Sequence, residues 1–490
     1  GEGNPFNKFL DVYCSGFKSQ MHELIAIKAR WLRSNSLLSR FAGLPRRMII
    51  RGTRVYFMIQ RKQLEASALR SSLAQNLQLE KLSRSYLLAE TRPLTWPVFA
   101  SEVRQMQQLD IPFFTQPIDG DLLTLDDDSH ELKGFTTTSG LVSARERLRL
   151  LNEDEINFQL SVIRGVSEAN QLGSSSQVSP NTEIMLDDSL TLPSKDLNQE
   201  NKVYASQFAP KHIADQLLKL AIHDPQGHVE WLGMDLGSDG DSFGFGPVGP
   251  SLYGGSIGIA CLLNRLQKLQ ITLANRDEVL AAIKRPLQEL VSLTNKDYLR
   301  RWWRNKPLGL IGCGGILLGL QQLDEHDLVD GFITSLQPNV LLSDQKLDLM
   351  GGCAGLIGPL LHQGTQTALQ LALKAGDHII DQQEELGGWI TSPKYPSLLG
   401  FAHGTAGFTA ALARLHAVTG VERYLIAAAK ALDYERFHFS KAKGNWPDYR
   451  KTAQPEQSQF MTAWCHGAPG IALGRACLWD TALWDEQCAD

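Results

Sequence analysis

The chain has 490 residues, of which 43% are hydrophobic and 21% charged, with a formal net charge of −5. That length suits two or three domains, and that composition suits a globular protein rather than a disordered or fibrous one. The near-balanced charge offers no general attraction to nucleic acid. No stretch is apolar over the ~20 residues that stable membrane insertion needs, and seven cysteines in so long a chain argue for a reducing, cytoplasmic setting rather than a disulfide framework.

Residues 1–172 read as a mostly helical domain. Arg46, Arg47, Arg51 and Arg54 crowd together near its start. Such a cluster suits a phosphate or an acidic peptide, and equally suits a solvated helix face. From Lys62 to Glu90, Leu64, Ala68, Leu73, Leu77 and Leu82 recur at near-helical spacing, and Glu153 to Ala169 follows the same pattern. Thr91-Arg-Pro-Leu-Thr-Trp-Pro97 interrupts these helices, because each proline restricts the residue before it. Asp110-Ile-Pro-Phe-Phe-Thr reads as extended and Asp126-Asp-Asp-Ser as a loop.

Residues 173–207 are polar, rich in Ser, and without a sustained apolar period, as expected of a linker. Residues 208–490 then carry one pattern five times: Gly255-Ser-Ile-Gly258, Gly312-Cys-Gly-Gly315, Gly352-Cys-Ala-Gly355, Gly404-Thr-Ala-Gly407 and Gly467-Ala-Pro-Gly470. An apolar run follows each copy. Paired glycines before an apolar helix allow a tight entry turn and close backbone approach. Five inner helices, with amphipathic helices such as Asp277 to Leu293 between them, predict an α/α toroid. Rings of this kind commonly close with six or seven helical pairs. The last copy lies close to Asp490, so at least one further repeat is expected beyond it.

Few residues of the array carry chemistry. Cys465 lies at the glycine end of an inner helix, where a thiolate suits zinc; on its own, a small buried hydrophobe is the commoner role of a free cysteine. His403 holds the matching place in the fourth copy and suits acid–base work near neutral pH. Asp348 precedes the third copy by four residues and on its own reads as a helix N-cap. Cys313 and Cys353, inside their motifs, read as packing residues.

Taken in order, Ser251-Leu-Tyr-Gly-Gly-Ser-Ile-Gly258, Asp348 with Gly352-Cys-Ala-Gly355, His403-Gly-Thr-Ala-Gly407 and Trp464-Cys-His-Gly-Ala-Pro-Gly470 resemble the LanC-type lanthionine cyclases. The resemblance implies a Zn2+ ion with Cys465 as its first ligand, His403 as acid/base and Asp348 as an active-site aspartate. Trp464 and His466 flank the zinc cysteine and are assigned to substrate binding. The remaining ligand pair of the family has no match before Asp490.

Upstream, Arg47-Met-Ile-Ile-Arg51-Gly-Thr53-Arg-Val-Tyr56, Arg92-Pro-Leu-Thr-Trp-Pro97 and Leu109-Asp-Ile-Pro-Phe-Phe114 resemble the C-terminal part of the lipid-kinase-like dehydratase domain of class II lanthipeptide synthetases, the LanM type. Such a synthetase phosphorylates Ser and Thr of a ribosomal precursor peptide with ATP and Mg2+, eliminates the phosphate, and closes thioether rings. The resemblance implies elimination roles for Arg47 and Thr53, and places the ATP and Mg2+ motifs upstream of Gly1. The chain is then expected to be the central portion of a bifunctional enzyme. Two other readings stand beside it. One is a non-catalytic peptide-binding α/α barrel; the other, a glycosidase, needs a carboxylate partner for Asp348 that the motifs do not offer.

Overall fold

Every glycine pair in the second half turns the chain into a helix. The computed structural model describes residues 8–86, 93–125, 131–136, 138–174, 210–224, 226–236, 243–293, 296–393, 395–450 and 459–484. The expected loop at Asp126 and nearly all of the expected linker lie outside these residues. Two compact units emerge: residues 1–177 with 236–245, and residues 178–235 with 246–490.

The first unit holds helices α1 (Leu10–Trp31), α2 (Thr53–Gln63), α3 (Ser72–Leu79), α4 (Trp96–Gln107), α5 (Gly140–Leu150) and α6 (Glu153–Ser174). It also holds an antiparallel sheet ordered β1 (Pro45–Met48), β2 (Phe114–Pro117), β3 (Leu123–Thr124) and β4 (Glu131–Leu132). The helical run expected from Lys62 breaks in two. Ser71 accepts a hydrogen bond on its hydroxyl from Ala74 N at 3.1 Å and starts a new helix. Leu64, Leu73 and Leu77 consequently stay exposed, while Ala68 and Leu82 are buried. The extended reading at Asp110 holds from Phe114 onward, where Phe114 enters the core and pairs with Met48. Helix α4 begins just where the proline-bounded segment ends, with Pro97 in its first turn.

The second unit opens with α7 (Pro210–Lys219) and a small ribbon of β5 (Ile222–His223) and β6 (Val229–Glu230). Its inner helices are α8 (Ser256–Lys268), α11 (Cys313–Gln322), α14 (Ala354–Gln363), α16 (Thr405–Thr419) and α18 (Ala468–Ala476). Each inner helix packs on the next. Between them run α9 (Arg276–Ser292), α10 (Asp297–Arg304), α12 (His326–Ile333), α13 (Pro338–Leu342), α15 (Gln366–Asp381) and α17 (Glu422–Phe437). This is the mainly α, α/α toroid architecture that the repeats predict.

Composition explains which helix goes where. All but two of the ten residues of α11 are buried, as suits a helix apolar all round. Helix α9 buries Val279, Leu280, Ala282, Ile283 and Leu287 and turns its charges outward. One continuous core joins the two layers, with Trp303, Phe332, Trp389 and Phe408 among its largest members. The tryptophans keep their polar atoms satisfied: Trp389 Nε1 donates to Ile379 O at 2.8 Å, and Trp303 Nε1 to Ser335 Oγ at 2.9 Å. Truncating such a ring to alanine costs about 3–5 kcal/mol. Among the described residues no helix is long and apolar enough to cross a membrane.

Candidate functional site

The loops that enter the inner helices are stitched to one another through their backbones. Leu310 N donates to Leu349 O at 3.1 Å and Ile311 N to Met350 O at 3.0 Å, tying the second loop to the third. Met350 N donates to Ala402 O at 3.3 Å, and Ala402 N to Cys465 O at 3.5 Å, carrying the chain of bonds to the fourth and fifth loops. Two glycines make the last junction possible. Gly400 has φ 103°, and a Cβ there would stand 2.8 Å from Cys465 O. Gly467 has φ 99°, and its Cβ would lie 1.7 Å from Met461 O. No larger residue fits either place.

This stitching brings together four of the residues singled out in the sequence. His403 Nδ1 lies 2.9 Å from Asp348 Oδ2. The His403 ring stacks on that of His466, with centroids 5.8 Å apart and planes inclined by 26°. His466 follows Cys465 directly, so the thiol shares the same turn. Asp348 does not cap the helix after it, which starts only at Ala354. Its Oδ1 instead accepts from Gly351 N at 2.6 Å, closing the entry turn and fixing the carboxylate under the imidazole. Asp348 is buried and His403 half-buried, so one face of the ring is open.

Burial, with the Arg450 guanidinium beside it, pushes His466 down to about 4, so it is neutral near pH 7. Asp348 holds the Nδ1 edge of His403, and the other ring nitrogen has no partner among the described residues. Trp464 is 40% exposed and faces Tyr253 of the first loop, with ring centroids 6.3 Å apart. That pair presents exposed aromatic surface beside the Cys465–His466 turn.

Cys353 and Cys313 are buried, and burial pushes both thiols well up, as suits packing residues. Cys465 is half-buried. Among the described residues no three His, Cys, Asp or Glu side chains converge as metal ligands. Cys465 alone does not meet the four-coordinate demand of zinc.

In the first unit Arg47 is exposed on β1, across from Thr115, with its guanidinium 5.4 Å above the Phe113 ring. Thr53 is exposed as the first residue of α2. Arg51 has a structural partner: Glu102, fully buried, takes its Nε at 2.7 Å and the Tyr56 hydroxyl at 2.6 Å. The basic cluster therefore divides. Arg51 is bound into the core, and Arg47 has no ion pair among the described residues.

Sequence reasoning passed over Asp448 and Arg450. Asp448 is buried and grips Arg450 through Nε at 3.0 Å and Nη2 at 2.7 Å. Neither residue belongs to a glycine motif, and only their spacing, with one residue between them, hints at a pair.

Residues 246–489 match the family described as lanthionine synthetase C-like protein, and residues 1–116 match a domain of unknown function, DUF4135. The lacticin 481/lactococcin biosynthesis protein LcnDR2 of Lactococcus lactis subsp. lactis is 22% identical over 394 residues. The match takes in 77% of this chain and 38% of that protein, so the chain spans well under half of the relative's length. Among solved structures, nisin cyclase aligns with 21% identity and a TM-score of 0.35, over 47% of this chain and 65% of its own.

Proposed function

Because the chain belongs to the LanM-type lanthipeptide synthetases, we propose that its second unit closes thioether rings in a ribosomal precursor peptide and that its first unit serves the preceding dehydration. The observation that carries the cyclase reading is the Asp348–His403 pair set against the Cys465–His466 turn. A cysteine thiolate of the peptide adds to the β-carbon of a dehydrated Ser or Thr. The electron pair of the alkene passes onto the adjacent carbonyl, and the α-carbon then takes up a proton. His403, oriented by Asp348, is the group placed to move that proton. Cys465 is proposed as one ligand of a Zn2+ ion. Trp464 and buried, neutral His466 shape the floor on which the peptide lies.

In the complete synthetase, Ser and Thr are phosphorylated at the expense of ATP with Mg2+, and Arg47 of the first unit holds the leaving phosphate. The cation suits this by bidentate hydrogen bonding, and Thr53 assists through its hydroxyl. The proposed setting is cytoplasmic.

The test is direct. A precursor peptide carrying dehydroalanine and free cysteine is incubated with the protein, and ring closure is read as loss of alkylatable thiol. The parent protein is expected to consume the thiol. His403→Asn is expected to slow closure roughly 10²- to 10⁴-fold, the usual worth of a general acid–base group. Unchanged closure in that variant removes His403 from the mechanism.

A further inference from the structure

The fifth loop is held from outside the glycine array by the segment Asn445 to Arg450. Asn445 Nδ2 donates to Met461 O at 2.9 Å, and its Oδ1 accepts from Ala468 N at 2.7 Å. Asp448 N donates to Gln459 O at 2.7 Å. Arg450 Nη2 approaches Met461 Sδ at 3.0 Å, so the guanidinium lies against the loop that carries Cys465 and His466.

The way Arg450 is held is informative. A guanidinium has five N–H donors. Asp448 takes Nε and Nη2 along one edge, and Met461 meets Nη2 again. Nη1, with two N–H groups, has no partner among the described residues, although the side chain is more than half-buried. The Asp448–Arg450 pair is neutral as a unit. It therefore lacks the pull of a bare cation for a carboxylate, yet presents a fixed, polarised donor fork. Such a donor favours a group whose negative charge grows during reaction over one already charged.

We propose that Arg450 is a catalytic residue of the ring-closing site, and that its Nη1 donates to the carbonyl oxygen of the dehydrated residue as the thiolate adds. This rests on the cyclase reading above. The balance is simple. The sulfur lone pair forms the S–Cβ bond, and the alkene pair moves to the Cα–C bond. The carbonyl pair moves onto oxygen, where Arg450 meets it; uptake of a proton at Cα then restores the carbonyl. Asp448 is a positioning residue, locking the fork so that no reorganisation is needed as charge develops.

The experiment uses the protein as expressed from its own gene, with a synthetic peptide carrying one dehydroalanine and one cysteine. Initial rates of thiol consumption give kcat and KM. Arg450→Ala is expected to lower kcat about 10²-fold, the usual loss for one oxyanion donor, with KM little changed. Added guanidinium ion is expected to restore part of the rate. Arg450→Lys keeps the charge opposite Asp448 but loses the planar fork, so it is expected to fold normally and remain slow. Full kcat in Arg450→Lys and Arg450→Ala overturns the proposal and leaves the cyclase reading intact. A rate loss that guanidinium does not restore, with a lowered melting temperature, shows a structural role and also overturns it. If the parent protein closes no ring, the cyclase reading falls, and this role falls with it.

Discussion

His403 shows how little a residue's identity says until its neighbours are known. An exposed imidazole titrates in water and has no preferred edge. Here Asp348 takes Nδ1 at 2.9 Å and is itself pinned by Gly351 N at 2.6 Å, so ring, tautomer and open edge are set together. Asp348→Asn offers the same shape but can present an N–H where the imidazole needs an acceptor. Ring closure in that variant is expected to fall roughly 10²-fold or more, while peptide affinity, followed by tryptophan fluorescence, stays near that of the parent. Equal losses in rate and affinity would reduce Asp348 to a packing role. Arg47 makes the contrasting case. Its partners are one aromatic ring and solvent, so Arg47→Ala is expected to leave stability within about 0.5 kcal/mol of the parent, as for most surface changes. In the phosphate-leaving role it nonetheless makes phosphorylated peptide accumulate, each retained phosphate being countable by mass. Dehydration at the parent's rate would remove Arg47 from elimination.

At the scale of elements, helices α16, α17 and α18 meet at a buried ion pair. Glu435 of α17 is fully buried, receives the Thr405 hydroxyl of α16 at 3.0 Å, and faces Arg475 Nη1 of α18 at 2.6 Å. Burial pushes the Glu435 carboxyl up, and the arginine opposes that push. Removing one partner strands the other: Arg475→Met is expected to cost about 3–5 kcal/mol, read from denaturant melts. With the folded-state pKa raised further in that variant, a neutral carboxyl is favoured in the fold. The loss therefore shrinks below the ordinary glutamate range and grows as pH rises through it. A loss independent of pH would mean that cavity formation, not the stranded charge, dominates. Nothing in the sequence marks this pair, because Glu435 and Arg475 belong to different repeats. The inner helices were legible, since a glycine pair followed by an all-apolar run has one reasonable burial. His403, Asp348 and Cys465 stood out because each borders such a pair. Asp448 and Arg450 sit in an irregular segment whose meaning comes only from the loop packed on it. In the first half, periodicity misled: Leu64, Leu73 and Leu77 keep helical spacing across a break made by the Ser71 cap, and they end exposed.

At the scale of the molecule, the two units differ in how their cores are built. The second unit gathers most of its buried residues in one continuous apolar cluster from Ala214 to Leu478, beside a small one around Leu398, Leu399 and Tyr449, so each repeat is supported by its neighbours. The first unit distributes its buried residues over three small clusters: around Tyr56 and Met106, around Phe114 and Leu123, and around Leu148 and Ile156. Small separate clusters bury less apolar area per ordered residue, and each can open without the others. Unfolding is therefore expected in at least two steps, with the first unit losing structure first. Tryptophans distinguish the steps, because Trp303 and Trp389 are buried in the continuous core. In a guanidinium titration, helical circular dichroism should decline over an early phase that leaves the emission of these buried tryptophans blue. A later phase should remove the remaining helix and shift the emission to the red together. Trp389→Phe, which keeps a ring against Phe408 but loses the bond to Ile379 O, should move only the later midpoint. A single transition in which both signals and both midpoints move together would show instead that the small clusters of the first unit are no weaker than the continuous core of the second.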